Sequence, residues 1–313
     1  MATTPENIRW SEPRFSISQI STLPASFADD LAAYTTAGLD GMGIWELKLP
    51  EDGDDTAALE AFAASGLEPA SAVPAIPSPL PLPLLGGPTD PQQRIDALCA
   101  SIHRLAAFGA PAIVCLTGCG RGLDSDRAYA IVVDALRTLA GEAELAGTLI
   151  ALEPYQAEGG GEWTIVSTIP EALELIAEAG GHSSLGLQFD AWHLWNTGTV
   201  LDDVAEHIDR IVGVHLNDYR SPTRGWCDRV LPGDGIAELP VLLGALDAAG
   251  WDGLYDLEIF SDDGTFGSPY PDSLWDLPTA ELARRGRAAM AAAWDTMRRL
   301  APVGQPQQHK EGE

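Results

Sequence analysis

Leu185-Gly186-Leu187-Gln188-Phe189-Asp190-Ala191-Trp192-His193 is a short, mostly apolar run that ends in an acid, with an imidazole three residues on. A run of this length without strict apolar–polar alternation reads as a strand buried on both faces, the pattern of a parallel sheet. The same pattern recurs on either side. Residues 149–153 end in Glu153 before Pro154. Residues 211–217 close on His215-Leu216-Asn217 before Asp218, and residues 254–260 carry Glu258 near their end. Stretches with helical spacing separate these runs, at 169–179, 200–207 and 239–249.

Working outward, strands are expected at 15–21, 43–49, 69–76 and 112–116. Helices are expected at 27–37, ended by Gly38, and at 56–65, ended by Gly66. Further helices are expected at 94–108 and 127–146, with a closing one at 279–300. In 94–108, Ile95, Leu98, Ile102 and Leu105 share one face. Eight strands alternating with helices predict an α/β fold, a single-domain (β/α)8 TIM barrel over 15–301. A 14-residue N-terminal extension precedes it, and a polar, disordered tail follows at 302–313. An open doubly wound sheet is the alternative, but it announces itself with a Gly-rich phosphate loop after the first strand. Here that position reads Ser18-Gln19-Ile20-Ser21-Thr22. The Pro/Gly-rich segment 77–91 is too long for an ordinary connection and reads as a lid or rim loop.

Catalytic groups of such barrels sit at the C-terminal ends of the strands. Four consecutive strands deliver Glu153, Asp190, His215 and Glu258 there. Singly, each is explained as a rim charge or a hydrogen-bonded core residue. Independent rim charges have no reason to recur at one register, so together they predict a site for one divalent metal ion. Three carboxylates and an imidazole suit Mn²⁺ foremost, with Mg²⁺, Co²⁺ or Zn²⁺ acceptable.

The formal charge is −28, from 18 Lys and Arg against 46 Asp and Glu. A polyanion repels phosphate backbones and anionic membranes, which argues against nucleic-acid and membrane partners. Four Cys, at 99, 115, 119 and 227, make neither a disulfide scaffold nor a zinc-finger pattern. Met1 to Trp10 lacks an apolar core, and no apolar run of 18 residues occurs, so a cytoplasmic protein is expected.

The order and spacing of Ala151-Leu152-Glu153-Pro154, Phe189-Asp190-Ala191-Trp192-His193, His215-Leu216-Asn217-Asp218, Leu231-Pro232-Gly233-Asp234-Gly235 and Tyr255-Asp256-Leu257-Glu258-Ile259-Phe260 carry a resemblance. The chain resembles the xylose-isomerase-like TIM-barrel superfamily, which includes sugar-phosphate isomerases and epimerases, inosose dehydratases and endonuclease IV. The resemblance implies that Glu153, Asp190, His215 and Glu258 hold the metal. It also implies that Glu153 and Glu258 move a proton as catalytic bases. The nuclease branch needs further His ligands, and this sequence breaks them. Asp228-Arg229-Val230 stands where D-x-H is required, and Ala70-Ser71-Ala72 and Val114-Cys115-Leu116 replace the early histidines.

A metal chelating the oxygens of a hydroxyketone acidifies the intervening C–H and stabilises the enediolate that forms. The expected enzyme is therefore a metal-dependent sugar or polyol isomerase/epimerase of carbohydrate metabolism. The alternative is a lyase in the same barrel, an inosose-type dehydratase or a C-glycoside-cleaving β-elimination subunit. A non-catalytic barrel that binds a sugar or a partner protein is a second alternative. The substrate is a small sugar, polyol or glycoside, and the resemblance allows a homo-oligomer or a second subunit.

Further substrate-binding candidates are His193, Asp228, Arg224, Arg229, Glu158, Trp45 and Trp192. His193 suits a substrate hydroxyl, or equally a structural bond to Asp228. Arg224 and Arg229 suit a substrate oxygen or phosphate, or simply neutralise the acidic rim. The indoles suit a sugar face, or packing, which is the expectation for Trp195.

Overall fold

The computed structural model describes residues 12–83, 85–120, 122–156, 163–267 and 269–300. Eight parallel strands run in chain order: β1 Phe15–Ser18, β2 Gly41–Gly43, β3 Glu68–Pro69, β4 Ala112–Cys115, β5 Leu149–Leu152, β6 Leu185–Asp190, β7 Ile211–Leu216 and β8 Tyr255–Leu257. Their order in the sheet is β3-β2-β1-β8-β7-β6-β5-β4. The two ends meet. Ala72, just past β3, bridges Ile113 of β4, donating to Ala112 O and accepting from Val114 N, both at 2.9 Å. That closes the ring into a (β/α)8 barrel.

The outer layer is α1 Phe27–Ala37, α2 Thr56–Ser65, α3 Pro91–Ala106, α4 Ser125–Ala146, α5 Ile169–Glu178, α6 Val200–His207, α7 Leu239–Ala249 and α8 Thr279–Leu300. Each turns its apolar stripe to the sheet, and α8 packs between α1 and α7 to complete the circle. Among the described residues, no helix is long and apolar enough to cross a membrane.

Helices α3 and α4 start earlier than apolar spacing predicts, at 91 and 125 rather than 94 and 127. Their first turns are set by caps instead. The Asp90 side chain accepts from Gln93 N ahead of Pro91, and the Asp124 side chain accepts from Asp126 N and Arg127 N. The early strands are shorter than expected. Residues 43–49 do not form one strand: β2 ends at Gly43, and Glu46–Lys48 wind into a 3-10 turn. Side-chain ties bend the chain there. Glu46 accepts from Ala75 N and Ser101 Oγ, while Lys48 Nζ reaches Thr22 O and Asp30. These two residues belong to the frame beside the barrel mouth. In 69–76, Pro69 and Pro74 lack the N–H a ladder needs, so only single bridges continue past β3, at Ala72 and Val73.

The 77–91 segment is pinned to the barrel. Leu116 N donates to Pro77 O, and buried Arg94 donates to Ser78 O, Ser78 Oγ and Pro88 O. Of the extension 1–14, only residues 12–14 are described; the 302–313 tail lies outside the described residues.

Candidate active site

The four strand-end residues converge because neighbouring strands hold them in register. Asp190 pairs with His215 across β6 and β7, and His215 with Asp256 across β7 and β8. Glu153 N donates to Cys115 O at 3.0 Å, and Glu258 N to Leu216 O at 2.9 Å, which extends the ladder one residue past β5 and β8. Asp190 also caps the single turn Ala191–Leu194, its Oδ1 accepting from Trp192 N at 2.7 Å.

Glu153, Asp190, His215 and Glu258 are all buried, and each offers one ligand atom, all within 4.8 Å of one another. His215 Nδ1 faces the three acids, 3.3 Å from Glu258 Oε2 and 3.8 Å from both Glu153 Oε1 and Asp190 Oδ2. Glu153 Oε1 and His215 Nδ1 have no hydrogen-bond partner among the described residues. A buried carboxylate oxygen without a donor, beside an imidazole nitrogen without a partner, is costly unless a cation sits between them. The residues therefore fit a divalent ion. Behind the ring, His215 Nε2 lies 3.8 Å from Asp256 Oδ2, the carboxylate that faces this nitrogen from β8 without a hydrogen bond to it.

The electrostatics split the two glutamates. Burial, with Asp190 and Glu258 nearby, pushes the Glu153 carboxyl up to about 7. Burial also works to raise Glu258, but His215 and Arg229 outweigh it and hold that carboxyl down at about 2. Burial opposes a charge on His215, yet Glu258 and Glu153 overcome it and raise its pKa well above the ordinary value. His193 has no such support: burial pushes it down to about 3, so its ring is neutral near pH 7.

Arg229 is the main addition to this centre. Its guanidinium donates from Nη1 to Asp190 Oδ2 at 2.8 Å and to Glu258 Oε2 at 2.6 Å, and Nη2 stands 3.2 Å from His193 Nε2. The group lies over the Phe260 ring at 4.8 Å and the Trp192 ring at 5.6 Å. His193, Arg229, Trp45 and Trp192 line one cavity with Glu153 and Glu258, about 580 Å³ with its open mouth included.

Asp228 and Arg224 do not join that cavity. Asp228 accepts from Arg220 Nε and from Arg224, and Arg224 reaches on to Asp272, which makes a cluster beside the mouth. His193 consequently meets Arg229 and not Asp228. Trp195 packs on Tyr219. Glu158 lies outside the described residues. Sequence reasoning missed Tyr155, Trp163, Trp226 and Asp256. Tyr155 and Asp256 each sit two residues from a ligand, a spacing that could have found them; the two tryptophans sit in loops with no periodic signal.

A family model described as a xylose isomerase-like TIM barrel matches residues 31–293. An inosose isomerase from Halalkalibacterium halodurans is 30% identical over 132 residues, which are 41% of this chain and 45% of that protein. The chain thus spans about half the length of that curated relative. Among solved structures, an IolI protein with a bound zinc atom superposes at a TM-score of 0.73 and 20% identity, covering 91% of this chain and 99% of that one. The D-psicose 3-epimerase of Clostridium cellulolyticum H10, solved with D-tagatose, gives 0.73 at 17% identity, covering 91% and 99%.

Proposed function

Since the chain belongs to the xylose isomerase-like TIM-barrel family, we propose that it is a divalent-metal-dependent isomerase or epimerase of a sugar or polyol. The observation that carries this is the convergence of Glu153, Asp190, His215 and Glu258, with His215 Nδ1 and Glu153 Oε1 left unpaired at its centre. A divalent ion held by these four would supply Lewis-acid polarisation of a substrate carbonyl.

The chain's own groups supply the rest. Glu153 and Glu258 are two carboxylates whose surroundings push their proton affinities apart, the arrangement that separates an acid from a base. One takes the proton from carbon while the other stands ready to return it on the opposite face. Arg229 and neutral His193, in contact with each other at 3.2 Å, line the cavity beside the glutamates as polar groups for a substrate oxygen, and the walls of the cavity keep bulk water from the carbon. The likeness to an inosose isomerase puts inososes first among substrates to test.

The test is metal titration followed by solvent-deuterium exchange into a panel of inososes and ketoses. Exchange that needs Mn²⁺, Co²⁺ or Zn²⁺ is the expected result. A protein that stays metal-free at saturating concentrations of all three overturns the proposal.

A further inference from the structure

The polar and apolar parts of the cavity are segregated. Glu153, His193, Arg229 and Glu258 form its floor. The wall above carries no charged side chain among the described residues. Trp163 and Trp226 approach at 4.9 Å between ring centroids, Tyr155 stacks on Trp163 at 6.3 Å, and Phe260 meets Trp226 at 5.5 Å. Leu85 and Leu116 fill the space beside them.

That wall discriminates among ligands that share a chelating head. A free ketose or inosose carries a hydroxyl on nearly every carbon. A hydroxyl pressed on the ring faces of Trp163 and Trp226 and on the two leucines gives up water and gains no partner there. An aromatic ring in the same place gains burial and offset stacking.

We propose that the substrate of this site carries an aromatic or comparably apolar ring beside its hydroxyketone, with the oxygens on the floor and the ring against Trp163 and Trp226. The inference rests on the metal-dependent reading above and moves its favoured substrate from free inososes and ketoses to hydroxyketones that carry such a ring.

The experiment uses the full chain loaded with Mn²⁺, with occupancy followed by the loss of the free-ion electron paramagnetic resonance signal. Titration calorimetry then compares hydroxyacetone, α-hydroxyacetophenone and D-fructose, of which the first two share a head and differ in the ring. The aryl compound is expected to bind roughly tenfold tighter or more than hydroxyacetone, with D-fructose no better than hydroxyacetone. The Trp163→Ala/Trp226→Ala pair should lose most of this preference while Mn²⁺ and hydroxyacetone affinities hold. Leu85→Asn, on the 77–91 loop and outside the packed centre, should reduce it in a chain that keeps its fold. Equal binding of hydroxyacetone and α-hydroxyacetophenone, or tighter binding of D-fructose, with Mn²⁺ bound overturns the inference and leaves the metal reading standing. Failure to bind Mn²⁺ overturns both.

Discussion

Arg229 Nη1 lies 2.6 Å from Glu258 Oε2 and 2.8 Å from Asp190 Oδ2, so one buried guanidinium holds two of the four candidate ligands. An arriving cation competes with it for the same oxygens. Arg229→Met keeps an apolar stem against Trp192 and Phe260 and removes the competing charge. Mn²⁺ should bind this variant about tenfold more tightly or better, the scale of one charge-assisted contact. The metal-free variant should melt lower, because three acids then face one another with only His215 between them. Unchanged Mn²⁺ affinity in a titration would mean that the guanidinium steps aside without cost.

The same pairings set a pH dependence. Glu153 is pushed up to about 7, and His215 well above its ordinary value, so both hold protons near pH 6 in the metal-free fold. A metal must displace them. Mn²⁺ affinity should therefore rise with pH through 7, by up to about tenfold per unit for each proton displaced.

Metal-free stability runs the other way. Glu153 and Asp256, both near 7, bind protons more tightly folded than unfolded. Their contribution is full below about pH 4 and is lost as pH climbs through 7. Glu258, near 2, contributes above its unfolded value and loses that contribution only as pH falls toward 2. Thermal melts of the metal-free chain from pH 5 to 8 should fall, and melts at fixed Mn²⁺ should rise relative to them. Parallel curves would contradict both assignments.

Which parts of this site could be read from sequence follows from where order is local. Glu153, Asp190, His215 and Glu258 each end an apolar run, so strand periodicity alone placed them at one level of the barrel. Arg229 was visible as a candidate, but its pairing with Glu258 was not. It comes from the short ribbon Asp218–Tyr219/Arg229–Val230, whose pairing depends on a turn between strands β7 and β8. Asp228, adjacent in sequence to Arg229, faces the other way and accepts from Arg220 and Arg224, because neighbouring residues of an extended segment point to opposite sides, and Arg224 reaches on to Asp272. Residues 43–49 read as a strand by composition. Hydrogen bonds that Glu46 accepts and Lys48 donates, all with distant segments, made them a turn, which no local window contains. The helix starts at Pro91 and Ser125 were legible in their caps, Asp90 and Asp124, and apolar spacing passed over them because first turns are exposed.

Asp256 links the cluster of candidate ligands to the strand beneath it. It lies 3.8 Å behind His215 Nε2, and a Cβ added at Gly43 would stand 2.2 Å from its Oδ2. The β2 backbone therefore approaches this carboxylate as closely as only glycine permits. Asp256→Asn should weaken Mn²⁺ binding by about 10–100-fold, the usual cost of losing a carboxylate behind a ligating imidazole, with little loss of fold. Gly43→Ala should cost about 1–3 kcal/mol of stability by overpacking, since Ser18 Cα, 3.0 Å from the same Cβ, is backbone and cannot swing away. Calorimetric titration and denaturant melts separate the two. A Gly43→Ala chain as stable as wild type would show that Asp256 is free to move.

Glu153 and Glu258 stand one residue past strands β5 and β8, with β6 and β7 between them, so they reach the centre of the cavity from separate sides. Two carboxylates arranged in this way can exchange a proton at one carbon from both faces. Replacing either by Gln keeps a neutral oxygen for the metal and removes the base. At Mn²⁺ concentrations that saturate each variant, net inversion should fall by about 10²–10⁴-fold in Glu153→Gln and in Glu258→Gln alike. Exchange of substrate hydrogen for solvent deuterium should behave differently. Each single variant should retain exchange on the face its remaining carboxylate serves, with the opposite stereochemical label in the two cases, and the double variant should lose both. Nuclear magnetic resonance of the recovered substrate reads the label directly. Exchange on both faces within twofold of wild type in each single variant, or exchange that survives in the double variant, would assign the proton transfer to other groups and leave the two glutamates as ligands only.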